Sequence, residues 1–166
     1  MIIYPTQDTQ NHLEVTSKFL KELGADYVGY LLCSDKKQTA YFNHPKWTEF
    51  YIDKGLKNDP YTNYALNSKN NFFLWKHIPI QTRLGRDIIE KRKEICDVKS
   101  GLTFYNKIGN TEHIFALATT ENNDISDLIR SPTVFKKLLQ IKSVMTKEHL
   151  KDHEIEEESY YFRIDR

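Results

Sequence analysis

The sequence predicts an α/β fold, an αβα sandwich with a central, mainly antiparallel sheet. Two observations predict it. Runs of β-branched and aromatic residues come mostly in pairs joined by short polar turns, which pairs neighbouring strands antiparallel. Amphipathic helical stretches stand before, between and after those runs, so both sheet faces have helices to cover them. The chain of 166 residues has room for one domain of ordinary size.

The elements follow in order. Leu13, Val15, Phe19, Leu20 and Leu23 recur at near-helical spacing and Gly24 stops the run, so a first helix is expected from about Thr9 to Leu23. Asp26 to Cys33 (DYVGYLLC) is a compact β-prone run, and Gln38 to Asn43 (QTAYFN) reads as its hairpin partner across SDKK. HPKWTEFYIDKG opens with a proline suited to a first helical turn and ends on Gly55, a short helix. Asn58 or Asp59 caps a second short helix before Pro60. NNFFLWKHI reads as a strand, and IQTRLGRDIIEKRKEIC as an amphipathic helix with Leu84, Ile88, Ile89 and Ile95 on its apolar stripe. SGLTFYNKIGNTEHIFALATT is a hairpin turning at Ile108-Gly109-Asn110, and Val134, Leu138, Ile141 and Met145 mark one face of a last helix. The order α-ββ-αα-β-α-ββ-α is that of PAS- and GAF-like sensor domains, expected here over residues 1–150. Residues 151–166 are left as an acidic and then aromatic C-terminal tail.

Composition excludes several function classes. Lys plus Arg number 24 and Asp plus Glu 23, a formal charge of +1, so no basic excess is available for direct nucleic-acid binding. The start lacks a basic n-region and an apolar h-region, and no apolar run reaches the length of a membrane span. A cytoplasmic protein without membrane contact is expected. Cys33 and Cys96 make neither a disulfide framework nor a zinc site. His149 and His153 stand one helical turn apart with no third ligand in register, so no metal is expected. No catalytic triad, phosphate loop or cofactor motif is legible, which argues against an enzyme. Lys91-Arg92-Lys93 lies between Glu90 and Glu94 and reads as a mixed charged face rather than a nucleic-acid patch.

The segment from Pro45 to Trp75 carries the chemistry. Trp47 and Tyr51 share a helix face, Asp59 starts the next helix, and Trp75 ends or interrupts a strand. An indole donor, a phenol and a carboxylate acceptor converging in an aromatic cleft suit a small amide or ester ligand. The 2 Trp, 10 Tyr and 9 Phe of the chain supply such walls.

Trp47, Tyr51, Asp59-Pro60, Trp75 and Gly101-Leu102-Thr103, in that order, resemble the autoinducer-binding domain of the LuxR family of quorum-sensing regulators. FFLWKHIPIQTR and SGLTFYN also resemble the family's equivalents. The resemblance implies a closed cavity holding an acyl-homoserine lactone or similar small amphipathic amide, between the sheet and the two short helices. It implies that Trp47 donates to the lactone carbonyl and Asp59 accepts from the amide N–H. Tyr51 and Trp75 would pack on the ligand and Thr103 would line the pocket. Departures accompany it. Tyr51 to Asp59 is one residue shorter than the usual spacing, Asn43 stands where the family commonly has Tyr, and the last strand is apolar near Leu117. With those hydroxyls missing, Asp59 is expected to be the main polar anchor.

Family regulators continue into a helix-turn-helix domain, for which this chain is too short. Two readings follow, a stand-alone signal-binding module acting through a homodimer or a partner, and a ligand-free interaction module that forms heterodimers with a full-length regulator.

Overall fold

Tyr27–Cys33 is buried at every position, so neither of its faces meets water and it must be an interior strand. In a computed structural model that describes residues 2–3, 7–35, 38–120, 123–144 and 147 it lies at the centre of the sheet. As β2 it is flanked antiparallel by β3 (Gln38–Phe42) and β6 (Thr111–Thr119). β5 (Ser100–Ile108) is the hairpin partner of β6, and β4 (Phe72–Leu74) closes that edge. The hairpin turns at Gly109, whose φ of +59° at the first turn position is one that glycine adopts freely. A short β1 (Ile2–Ile3) pairs parallel with β3, giving a six-stranded sheet in the order β1-β3-β2-β6-β5-β4. β1 is missing from the sequence-based expectation because two residues are too few to show a period.

The period-2 alternation of the strands feeds two cores. Tyr27, Leu31, Tyr105, Ile114 and Ala118 face one way, against α2 (Pro45–Phe50), α3 (Pro60–Ser68) and α4 (Arg83–Cys96). Val28, Tyr30, Leu102, Phe104, Phe115 and Leu117 face the other, with Leu20 of α1 (Gln7–Glu22), Ile125 of α5 (Ile125–Ile129) and Leu138 of α6 (132–144). Helices therefore cover both faces, the expected αβα sandwich.

Local readings differ in four places. α2 runs straight on into a π-helical turn, Tyr51–Gly55, and Trp75–His77 forms a 3₁₀ turn after β4. Val15 and Leu84, expected on apolar helix faces, are 68% and 58% exposed. The inner face of α4 is instead Gly85, Ile88, Ile89, Arg92 and Cys96. Met145, His149, His153 and the tail 151–166 lie outside the described residues. Among the described residues no helix is long and apolar enough to cross a membrane.

Candidate functional site

Asp59 is placed by the chain before it is placed by chemistry. It is the N-cap of α3, its Oδ1 accepting the Tyr61 N–H at 3.0 Å while Pro60 supplies the first helical φ. That cap turns Oδ2 inward, where it accepts from Tyr51 Oη at 3.0 Å, Thr62 Oγ1 at 3.1 Å and Arg92 Nη2 at 2.6 Å. Tyr51 reaches it because α2 and its π-helical extension keep Trp47 and Tyr51 one turn apart, their rings 5.5 Å between centroids. Both are fully buried.

Trp75 is held by the strand beside it. Its Nε1 donates to Thr103 Oγ1 at 2.9 Å, and its indole lies flat on Gly101, where a Cβ would fall inside the ring's contact distance. Gly101-Leu102-Thr103 thus seats one aromatic, with glycine making room and threonine accepting the N–H. On its other side Trp75 stacks on Tyr61, centroids 4.5 Å apart and planes within 11°. Trp47 Nε1 donates to Tyr27 Oη at 3.1 Å.

The five sequence-predicted residues are thus gathered on one face of the sheet, and Tyr51, Asp59, Trp75 and Thr103 wall a common internal cavity. That cavity is about 10 Å³, against the ligand-sized closed space expected. Arg92 of α4 is the reason. It is 2% exposed, and its guanidinium lies 4.9 Å from the Trp47 ring, 5.1 Å from Trp75, 5.2 Å from Tyr61 and 5.9 Å from Tyr27. A cation between aromatic faces is attracted by their quadrupoles. Burial is the largest influence and works against its charge, but the Asp59 carboxylate and the Tyr27 and Tyr51 phenols together outweigh it and hold the Arg92 pKa above its ordinary value. Arg92 Nε and Nη1 are buried with no hydrogen-bond partner. Arg92, expected as part of a mixed charged face, is instead a buried residue of the core-facing side of α4.

The helical period could have found Arg92, because Ile88, Arg92 and Cys96 succeed one another at intervals of four. The surrounding Lys-Arg-Lys run masked it. Two of the three departures also resolve. Asn43 bridges the β2 end, donating to Asp26 O at 2.7 Å and accepting from Val28 N at 2.9 Å. Leu117 faces the opposite core, and Ile114 and Ala116 present the apolar wall to the cavity.

A second space adjoins the first. A cleft of about 410 Å³ shares Tyr61, Trp75 and Arg92 with the internal cavity and is otherwise lined by Lys76, Ile78, Ile80, Ile89, Lys93, Val98, Lys99, Ser100, Gly101 and Asp124.

No family model and no curated protein matches the chain. Solved structures do. SdiA in complex with octanoyl-rac-glycerol is 17% identical over 89% of this chain, with a TM-score of 0.60. The N-acylhomoserine lactone dependent LuxR family transcription factor CepR2 from Burkholderia cenocepacia is 15% identical over 87% of this chain and 94% of its own, with a TM-score of 0.62. The VqsR ligand-binding domain from Pseudomonas aeruginosa is 12% identical over 84% of this chain and 94% of its own, with a TM-score of 0.57. The chain spans 59% of that SdiA structure's length. Its fold is that of LuxR-family autoinducer-binding domains.

Proposed function

We propose that the chain is a ligand-binding signalling module that takes a small amphipathic molecule on the α2–α3–α4 side of its sheet. The observation that supports this reading is the convergence of Trp47, Tyr51, Asp59, Trp75 and Thr103 on one buried aromatic cage, in a fold shared with small-molecule receptors. The finer proposal is an acyl-homoserine lactone or similar amphipathic amide, with the bound state read out through a homodimer or a partner protein. A lactone's amide N–H would have to share Asp59 Oδ2 with Arg92, so α4 must yield when the ligand enters.

A second reading has its own support. The cavity of about 10 Å³ and the internal pairing of both indole N–H groups suit a domain that keeps the fold as an interaction module, heterodimerising with a full-length regulator. Mass spectrometry of organic extracts from the purified protein, with isothermal titration against a panel of acyl-homoserine lactones and their derivatives, separates the two. A co-purifying amphiphile or saturable binding supports the receptor. An empty extract and flat titrations overturn it in favour of the interaction module.

A further inference from the structure

We propose that Arg92 is the recognition group for an acidic ligand head, so that the cleft takes an amphipathic carboxylate such as an N-acylated amino acid. This rests on the receptor reading and narrows its ligand class. The argument begins with an imbalance. A guanidinium carries five N–H donors, and Arg92 spends one nitrogen on Asp59 while Nε and Nη1, with three of those donors, are buried and bare. Leaving charged donors unpaired away from water is costly, and an ionised acceptor satisfies them best. The internal cavity of about 10 Å³ is at the lower limit for a single water, so an acceptor larger than water must come from the adjoining cleft.

The cleft is built for such an approach. Arg92 forms part of its wall, together with the stacked pair Tyr61 and Trp75. Ile78, Ile80, Ile89 and Val98 supply apolar sides for an acyl chain. Lys76, Lys93 and Lys99 line the same cleft with Asp124 as its single carboxylate, and Lys76 lies 3.5 Å from that carboxylate. Arg92 also faces Asp59, and Lys99 lies 2.9 Å from Asp97, yet the four cations still outnumber these three acids, which favours an anion over a neutral lactone. Asp59 remains the partner of Nη2, so the ligand acid and Asp59 would flank one guanidinium without meeting on the same nitrogen. Neutral amides can use the apolar sides but leave the Arg92 donors only weakly satisfied.

The test compares N-decanoyl-homoserine, which carries a free carboxylate, with its ring-closed lactone, by isothermal titration and tryptophan fluorescence at pH 6. The two probes share chain and amide and differ in the head group. The acid is expected to bind the wild type at least about tenfold more tightly. A single Arg92 substitution would strand Asp59, so the paired variant Arg92→Met with Asp59→Asn is used, which removes both charges together. It is expected to lose the preference for the acid. Equal binding of the two probes, tighter binding of the lactone, or an acid preference that survives in the folded paired variant overturns the proposal and leaves the receptor reading standing. Binding of neither probe by folded wild type, together with flat titrations across the wider panel, overturns both.

Discussion

Arg92 and Asp59 hold each other in place, and each is stranded without the other. Removing one member of a buried ion pair leaves an uncompensated charge, a loss of about 3–5 kcal/mol, whereas removing both is often close to neutral. Asp59→Asn and Arg92→Met are each expected to lower stability in urea denaturation by about 3–5 kcal/mol, and the double variant by less than either. Strictly additive losses would mean that the pair contributes nothing as a pair. Asp59 also shows what a residue-level reading can reach. Asp-Pro before a helical run is legible as an N-cap, and the cap is what aims Oδ2 inward. Arg92 was hidden because local charge density suggested solvent while the helical period pointed to the core. Gly101 carries a separate expectation. A Cβ there collides with the Trp75 indole, so Gly101→Ala should cost about 1–3 kcal/mol and shift tryptophan emission as the ring is displaced from Thr103. Unchanged emission and stability would show that Trp75 has room to move.

At the scale of elements, helix ends were more legible than helix faces. Pro45, Pro60 and the cap residue Asp59 start helices where turn chemistry says they should. Faces failed where a single large residue was read by type alone, Leu84 outward and Arg92 inward. α5 was invisible because five residues are shorter than two helical turns, and its start depends on partners distant in sequence. Asp124 caps it, Oδ1 accepting from Ser126 N at 2.9 Å, Ser126 Oγ at 2.6 Å and Ser100 Oγ at 3.1 Å. Hydrogen bonds from the Ser126 hydroxyl and N–H, with Ser100 and Lys76 adding to them, hold the Asp124 carboxyl below its ordinary range. A depressed carboxyl contributes stability above its unfolded value, about 3.9, and loses it as pH falls towards the folded value. Asp124→Ala should therefore cost about 1 kcal/mol at pH 7, with the gap to wild type narrowing below about pH 4 in thermal melts. A gap that stays constant with pH would place the effect in packing rather than charge.

For the whole molecule, the sandwich was legible because each strand alternates between two apolar faces, which requires helices on both sides. The site was legible only as a list of residues, because whether they enclose space depends on what α4 inserts between them. The same geometry couples the layers through one sheet. Cys96 and Cys33 belong to the core that holds the cage, and Leu138 of α6, 0% exposed, belongs to the opposite one. Burial pushes the Cys96 thiol up to about 12 and the Cys33 thiol up to about 11, Glu112 adding to the latter. Raised thiol values favour the folded state below the unfolded value of about 8.5, and that contribution fades as pH rises above it. At pH 8 native thiols should therefore react with iodoacetamide only when the protein opens. Leu138→Ala removes buried volume on the far face at a cost of about 2–5 kcal/mol. If the sheet makes the two layers one cooperative unit, that loss raises the open population, and alkylation of Cys96 should accelerate by about 30-fold or more when opening is in fast pre-equilibrium. Mass-spectrometric alkylation kinetics on wild type and Leu138→Ala, beside urea denaturation of both, measure the coupling. Cys96 kinetics that ignore a measured loss of global stability would show that the cage layer opens by itself.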